Sequence, residues 1–328
     1  MMKQYLAIKG EHEGCLLFFR LGDFYELFFD DAVETAKLLG LTLTGRGKGE
    51  TRVPMCGVPH HAAEGYIAKL TKLGKKVAIC DQVSDPSEPG IVQREVTRIV
   101  TPGTTLDEKV LDAKKSNYVA AILPGHKLLN ESVYANSLKA IPGDGLEASG
   151  ESGGGFALAF ADVTTGEFGT VAVADEKSLG AELQRLRPSE LVVRSADLEH
   201  DWVSGLKRMR EVFVFGHASE AEKVEKFLMD YLKETQKTNL DHMVVSGADS
   251  RGACDEGPEQ FMALDEATLK NLELMETLRE GKKEGSLLWV IDKTETAMGG
   301  RLLRYFLTHP LVDAAQVAGR LDAVEELV

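Results

Sequence analysis

The sequence contains few cysteines, and they lie far apart. Four of its 328 residues are cysteine, and no two of them form a C-x-x-C pair. This spacing argues against a disulfide framework and against a cysteine-rich zinc site, and it is typical of a reducing cytoplasm. The four residues are Cys15, Cys56, Cys80 and Cys254.

Long apolar runs are also missing. No run of about 18 consecutive apolar residues occurs, so neither a membrane-spanning helix nor a membrane partner is predicted. The N-terminus lacks the basic and then apolar pattern of a secretory signal, and a cytoplasmic location is expected. The apolar share of 43% is nevertheless that of a globular chain, and the length allows two or three domains.

The motifs of several enzyme classes are absent. The phosphate-binding pattern G-x-x-x-x-G-K-[ST] does not occur, and its nearest match, 40–45, is followed by Arg46 where the pattern requires Lys. Cys56, His60 and His61 are neighbours in sequence, but no second ligand pair lies near them, so a metal site is not predicted. We therefore expect no catalytic residue, no metal and no nucleotide held by such a loop.

Basic residues are outnumbered by acidic ones. The chain has 38 Lys and Arg against 52 Asp and Glu, a net charge of −14, which at first sight argues against a nucleic-acid partner. The charge is uneven, because residues 1–103 are balanced and the remainder carries the excess. The segment 46–76 is locally basic, and a patch of this kind can contact phosphates. The predicted phosphate contacts are Arg46, Lys48 and Arg52, and a solvated surface is the alternative.

One stretch with aromatic residues and a carboxylate, 22–26, stands between two patterned segments. The apolar run 16–21 predicts a buried strand, and the amphipathic run 27–39 predicts a helix. Phe24 is then expected at a strand-to-helix turn, where a preceding Gly allows a tight bend and the ring can project as a wedge. In the alternative interpretation Asp23 caps the helix, Glu26 completes a capping box, and the ring packs in the core.

The remaining patterns predict an α/β multidomain chain. A mixed α/β domain is expected over 1–104, with a strand at 41–44 and a loop at 45–49. A strand meander followed by β-α alternation predicts a second α/β domain over 117–246, interrupted by a Gly-rich loop within 124–154. Helical spacing begins at Leu264 and predicts an all-helical domain over 260–328. The last helix pattern is still running at Val328, which predicts that this domain is truncated.

Several ordered motifs resemble the MutS family of bacterial DNA mismatch-repair proteins, over essentially the whole chain. They include the run Leu17-Phe18-Phe19-Arg20-Leu21-Gly22-Asp23-Phe24-Tyr25-Glu26-Leu27-Phe28-Phe29-Asp30-Asp31-Ala32, and the segments 54–59, 77–82, 98–104, 162–168 and 299–303.

The resemblance implies a function and a set of site residues. In that family the Phe of a Phe-x-Glu motif stacks on a mispaired base from the minor groove and the Glu hydrogen-bonds that base, and Phe24 and Glu26 occupy these positions. The three predicted domains would be a mismatch-recognition domain, a ribonuclease-H-like connector and the start of a helical lever. The implied partners are mismatched double-stranded DNA near the nucleoid, a second MutS subunit, and MutL at the connector. ATP and magnesium belong to a C-terminal ATPase domain of the family, so no cofactor is expected here.

Two other functions stay open from the sequence. The chain can serve as an interaction fragment whose connector docks repair partners without binding DNA. It can also be a metal-dependent nuclease, with Asp162 at a strand end assisted by Glu167 or Asp241. A single strand carboxylate does not make a two-metal site, and Asp162 before Thr164 is more simply explained as a turn former.

Overall fold

Two compact units make up the structure, a computed structural model. The first comprises residues 1–111 with 229–241, and the second comprises 112–228 with 242–328. The boundaries of the three domains predicted from the sequence remain a prediction. The described residues are 1–47, 52–84, 92–105, 112–125, 155–208, 212–237, 240, 243–245, 261, 262, 264 and 266–327.

The first unit is built on a six-stranded mixed sheet in the order β3-β4-β2-β1-β5-β6. One of its five strand pairs, β1 with β5, runs parallel, and the other four run antiparallel. The strands are β1 Cys15–Leu21, β2 Phe24–Phe28, β3 Thr44–Arg46, β4 Val53–Pro59, β5 Lys76–Gln82 and β6 Arg94–Val100. The helices are α1 Met2–Glu11, α2 Phe29–Leu39 and α3 Ala63–Lys72.

Side chains alternate between two apolar layers on this sheet, as the strand period of two requires. One layer combines Tyr25 and Leu27 of β2 with Ile67 of α3. The other combines Phe28 of β2 with Tyr5 of α1. The sheet therefore has a core on each face, which explains why β1 is an almost uninterrupted apolar run.

The predicted strand-to-helix turn at 22–26 is wrong. Gly22, at φ 59°, and Asp23 form a tight turn between β1 and β2, and these strands pair antiparallel with Leu21 opposite Phe24. Helix α2 begins only at Phe29, and its N-terminus has no side-chain cap, so the capping box of Asp23 and Glu26 is also wrong. Residues 24–28 form a strand because their side chains suit alternate faces of a sheet and because they pair with β4 as well as β1.

The predicted strand at 41–44 is displaced. β3 covers Thr44–Arg46, so Gly45 and Arg46, which were expected in a loop, belong to a strand. Register decides this, because Gly45 pairs with Pro54 of β4. Alternation within 41–44 alone carried no information about that partner.

The second unit begins with another six-stranded sheet, in the order β11-β10-β7-β8-β9-β12. β7, β8 and β9 form an antiparallel meander, and β10 and β11 extend it in parallel. This confirms the predicted meander followed by β-α alternation, while 126–154, which holds most of the expected Gly-rich loop, lies outside the described residues. The strands are β7 Val119–Pro124, β8 Phe156–Asp162, β9 Glu167–Val173, β10 Glu190–Arg194, β11 Phe213–His217 and β12 Val244–Val245. The helices are α4 Glu176–Leu186 and α5 Asp201–Leu206, and a third helix, α6 Val224–Gln236, begins in this unit and continues into residues 229–241 of the first unit.

The last described segment is helical. It contains α7 Glu266–Asn271, α8 Leu287–Ile291, α9 Ala297–Thr308 and α10 Ala314–Leu327. The sequence predicts helical spacing from Leu264 as far as Leu278, and this prediction is wrong in extent, because α7 ends at Asn271. Short turns follow, and Thr277 N–H donates to the Lys282 carbonyl at 2.8 Å. The sequence predicts a helix over 296–308, and α9 confirms it; Thr296 caps this helix by accepting from Gly299 N–H at 3.0 Å.

Candidate nucleic-acid interface

Phe24 lies at the beginning of β2 with its side chain directed outward. It is 47% exposed, whereas its neighbour Tyr25 is 5% exposed and Leu27 is completely buried. Because Tyr25 and Leu27 face the layer under α2 and α3, Phe24 and Glu26 share the opposite face. The structure thus places the two residues of the Phe-x-Glu motif side by side on one strand.

Tyr25 fixes the strand that carries them. Its hydroxyl donates to Asp81 Oδ1 at 2.7 Å, and the second oxygen of Asp81 accepts from Thr97 at 3.0 Å. Burial, together with the hydrogen bond to Asp81, raises the pKa of Tyr25 well above its ordinary value. A second tie comes from His60, whose backbone N–H donates to the carbonyl of Asp23 at 2.8 Å. The hairpin of β1 and β2 is therefore tied to β5 through Asp81 and to the end of β4 through His60.

Glu26 has a cationic partner. Arg46 Nη1 lies 3.3 Å from Glu26 Oε2, and the two side chains are 51% and 21% exposed, respectively. Gly57 is the β4 residue opposite Glu26, and a Cβ built there would lie 3.6 Å from Glu26 Cγ. The absence of a side chain at Gly57 leaves the carboxylate room beside the neighbouring strand.

The predicted phosphate contacts have different outcomes. Arg46 lies beside Glu26, as just described. Arg52 is exposed just before β4, and its side chain lies over the α-carbon of Gly45. Lys48 lies outside the described residues. Arg46 and Arg52 therefore border the same edge of the sheet, at β3 and β4.

Arg94, which sequence reasoning missed, braces the hairpin from β6. Its Nε donates to the Arg20 carbonyl at 2.7 Å, and its guanidinium lies 5.1 Å from the centroid of the Phe19 ring. Burial lowers its pKa, although the group stays charged. No local pattern marks this role, because Arg20 and Phe19 lie more than 70 positions away from Arg94 in the chain.

The candidate nuclease carboxylate is occupied by protein donors. Asp162 is completely buried, its Oδ1 accepts from Thr164 N–H at 2.9 Å, and its Oδ2 accepts from Asn117 N–H at 2.9 Å. Gly166 N–H donates to the Asp162 carbonyl at 2.9 Å, as expected for a turn former. Glu167 accepts from the hydroxyl of Tyr118 at 2.8 Å, and Asp241 lies outside the described residues.

The residues around Cys56 do not suit a metal. Cys56 is 1% exposed, and burial raises its pKa to about 11, whereas a metal ligand must be a thiolate. His60 lies against Tyr25, with 5.5 Å between ring centroids. Within the described part of the chain, no group of three or more His, Cys, Asp or Glu side chains is arranged to hold a metal ion. None of the described helices is long and apolar enough to cross a bilayer.

Comparison with known proteins gives consistent matches along the chain. Residues 1–109 match the family model MutS domain I, 136–228 match MutS domain II, and 267–328 match MutS domain III. The DNA mismatch repair protein MutS of Ruminiclostridium cellulolyticum is 40% identical over 360 residues, covering 100% of this chain and 37% of the relative. The same-named protein of Brevibacillus brevis is 41% identical over 344 residues, covering 100% of this chain and 36% of the relative. The chain thus spans little more than a third of the length of these curated relatives.

Proposed function

This chain belongs to the MutS family of DNA mismatch repair proteins, and we propose that it binds mismatched base pairs in double-stranded DNA through Phe24 and Glu26. The observation that carries this proposal is the exposed ring of Phe24. It lies on a braced strand, in the part of the chain that matches domain I. A ring sealed in the core could not reach a base.

Deformability of the duplex supplies the discrimination. A wedge inserted from the minor groove must unstack one base step, which costs a few kcal/mol. That cost is smaller at a mispair, because pairing and stacking are already weakened there. Stacking on an aromatic ring returns about 1–3 kcal/mol per base and accepts any base identity, which suits a sensor of many mispairs.

Glu26 adds a polar test to the apolar wedge. A carboxylate is repelled by phosphates, so its presence beside DNA is favourable only when it accepts a hydrogen bond from a base. A correct pair offers Glu26 no such hydrogen bond, so the carboxylate adds nothing to the binding of matched DNA.

Substitution of the wedge gives the direct test. We expect Phe24→Ala to reduce the preference for a G·T duplex over a matched duplex about tenfold or more, because a stacking contact of about 1–3 kcal/mol is removed. Gel-shift titrations of both duplexes measure this preference. Leu43→Ala is the matched control, since Leu43 is also 47% exposed and lies in the same unit, and it should leave the preference unchanged. Full mismatch preference in Phe24→Ala would overturn the proposal.

The family's other properties are proposals for this chain. We propose that residues 117–246 provide a surface for MutL, and that pairing with a second MutS subunit strengthens DNA binding. With no phosphate-binding loop in the sequence, we propose that the chain binds no ATP by that route. Repeating the titrations with and without magnesium separates the alternatives. A nuclease would cleave the duplex when magnesium is present, and an interaction fragment would bind neither the G·T duplex nor the matched duplex.

A further inference from the structure

Glu26 is paired with a cation before any DNA is present. Arg46 Nη1 lies 3.3 Å from Glu26 Oε2, although 20 positions separate the residues in sequence. Such a pair neutralises the carboxylate that lies on the same face of β2 as Phe24. The two charges therefore approach a duplex as a closed pair.

The pair is built so that it can open. Arg46 is the last residue of β3, the strand at the edge of the sheet, and half of its side chain is exposed. An exposed ion pair is weak, since water and salt screen it. Rotation of the Arg46 side chain breaks no strand pairing, because the sheet is held by its backbone.

Matched and mismatched duplexes differ in whether they offer Glu26 a hydrogen-bond donor that can replace Arg46. In a matched pair the N–H groups of the pairing edges are already hydrogen-bonded. A mispaired base leaves an N–H group unsatisfied, and a carboxylate is a strong acceptor for it. Phosphates, in contrast, attract the guanidinium on any duplex.

We propose that Arg46 is a positioning residue whose ion pair with Glu26 stays closed on matched DNA and is exchanged at a mismatch. The unpaired N–H of the base then donates a hydrogen bond to the Glu26 carboxylate, and the Arg46 guanidinium moves to a backbone phosphate. This inference rests on the proposed function and adds to it a specificity-determining partner for Glu26. Recognition is thereby coupled to one extra phosphate contact.

The salt dependence of binding tests the exchange. Each phosphate contact adds about 0.9 to the slope of log affinity against log salt. For the unmodified chain we expect the G·T slope to exceed the matched slope by about 0.9, which is about a 3.5-fold larger loss of affinity between 50 and 200 mM salt. In Arg46→Met this difference should vanish through a shallower G·T slope, and Arg46→Lys, which keeps the charge, should restore most of it.

Two further variants separate this role from a general charge effect. Glu26→Gln frees the guanidinium on both duplexes, so the matched slope should steepen by about 0.9 and the difference should again vanish. Arg52 is a nearby cation with no ion pair among the described residues, and Arg52→Met should lower both slopes equally. Equal slopes for the unmodified chain, or an unchanged difference in Arg46→Met, would overturn the exchange while the Phe24-dependent preference remains. Loss of dependence on Phe24 would instead overturn the proposed function.

Discussion

Asp31 shows how one buried carboxylate joins three elements of the first unit. Its Oδ2 accepts from the backbone N–H of Leu17 in β1 at 3.0 Å, and its Oδ1 accepts from Lys9 of α1 at 2.8 Å. The hydroxyl of Tyr5 lies 3.4 Å from Oδ2. Asp31 itself belongs to α2, so one side chain ties both helices to the central strand.

Replacement of this carboxylate should weaken the first unit. We expect Asp31→Asn to lower the free energy of unfolding by about 2 kcal/mol, because the buried N–H of Leu17 and the ammonium of Lys9 both lose a charged partner. The loss is no larger because Lys9 is partly solvated, which weakens its ion pair. Urea denaturation followed by circular dichroism measures the change. Asp30→Asn, one position earlier and exposed, should change it by less than about 0.5 kcal/mol. Equal effects of the two substitutions would show that Asp31 does not join these elements.

At the residue scale, sequence patterns and three-dimensional pairing carry different information. The family motif identified Phe24 and Glu26 as candidates, and the structure shows the exposed ring and the shared face. The Arg46–Glu26 pair was not predicted, since the sequence shows both charges but not the strand register that brings them together. Local spacing therefore finds a motif but not its ion-pair partner.

The hairpin of β1 and β2 is where the sequence interpretation failed at the scale of elements. The apolar residues of 24–28 fit both the start of a helix and a half-buried strand. The strand forms because β4, some 30 positions later, provides a pairing edge, with Glu26 opposite Gly57. The end of α2 was predictable, because Gly40 at φ 66° terminates it locally.

Replacing glycine by alanine should change the stability of the first unit in opposite directions at the turn of this hairpin and in α1. Gly22 has φ 59°, where a β-carbon is strained, so Gly22→Ala should destabilise the first unit by about 1 kcal/mol. Gly10 lies in α1, and a Cβ there would meet nothing within 4 Å, so Gly10→Ala should stabilise it by about 0.5 kcal/mol. Thermal unfolding of both variants checks the signs. Stabilisation by Gly22→Ala would contradict the left-handed turn.

In the second unit, Asp292 connects the segment before β7 to the terminal helices. Its side chain is 4% exposed and pairs with Lys283 at 2.7 Å and Lys114 at 3.4 Å. The hydrogen bond from Lys283 and those from Thr294 hold its pKa well below the ordinary range. Because Lys114 lies 178 positions from Asp292, this connection had no local signal in the sequence.

The depressed pKa fixes the pH range in which this connection acts. Asp292 contributes fully to the free energy of unfolding above the pKa of an unfolded Asp, about 3.9. This contribution is lost progressively as the pH falls from there towards the lower pKa of the folded state. Asp292→Asn should therefore lower the midpoint of thermal unfolding at pH 7, and the difference from the unmodified chain should shrink towards pH 3. Asp322→Asn, exposed on α10, serves as the control and should show little difference at either pH. A difference that stayed constant with pH would contradict the role of the ionised Asp292.

For the whole molecule, the order of parts was more predictable than their details. Two mixed sheets followed by helices agree with the predicted fold class, since hydrophobic periodicity and the ordered motifs extend along the chain. The turns after Asn271 and the short helix α8 were missed. Contacts with other parts of the chain decide such short segments, as in the hydrogen bond from Leu288 N–H to the Leu274 carbonyl at 2.9 Å.

The parallel pairing of β1 with β5 has a consequence for synthesis on the ribosome. β1 can form its hairpin with β2 early, but its other neighbour ends at Gln82 and emerges much later. Until then the nascent chain presents an open edge beside Phe18 and Phe19, both fully buried in the finished protein. An unpaired aromatic strand is prone to aggregation, so a chaperone would protect this edge in the interval between the synthesis of β1 and the synthesis of β5.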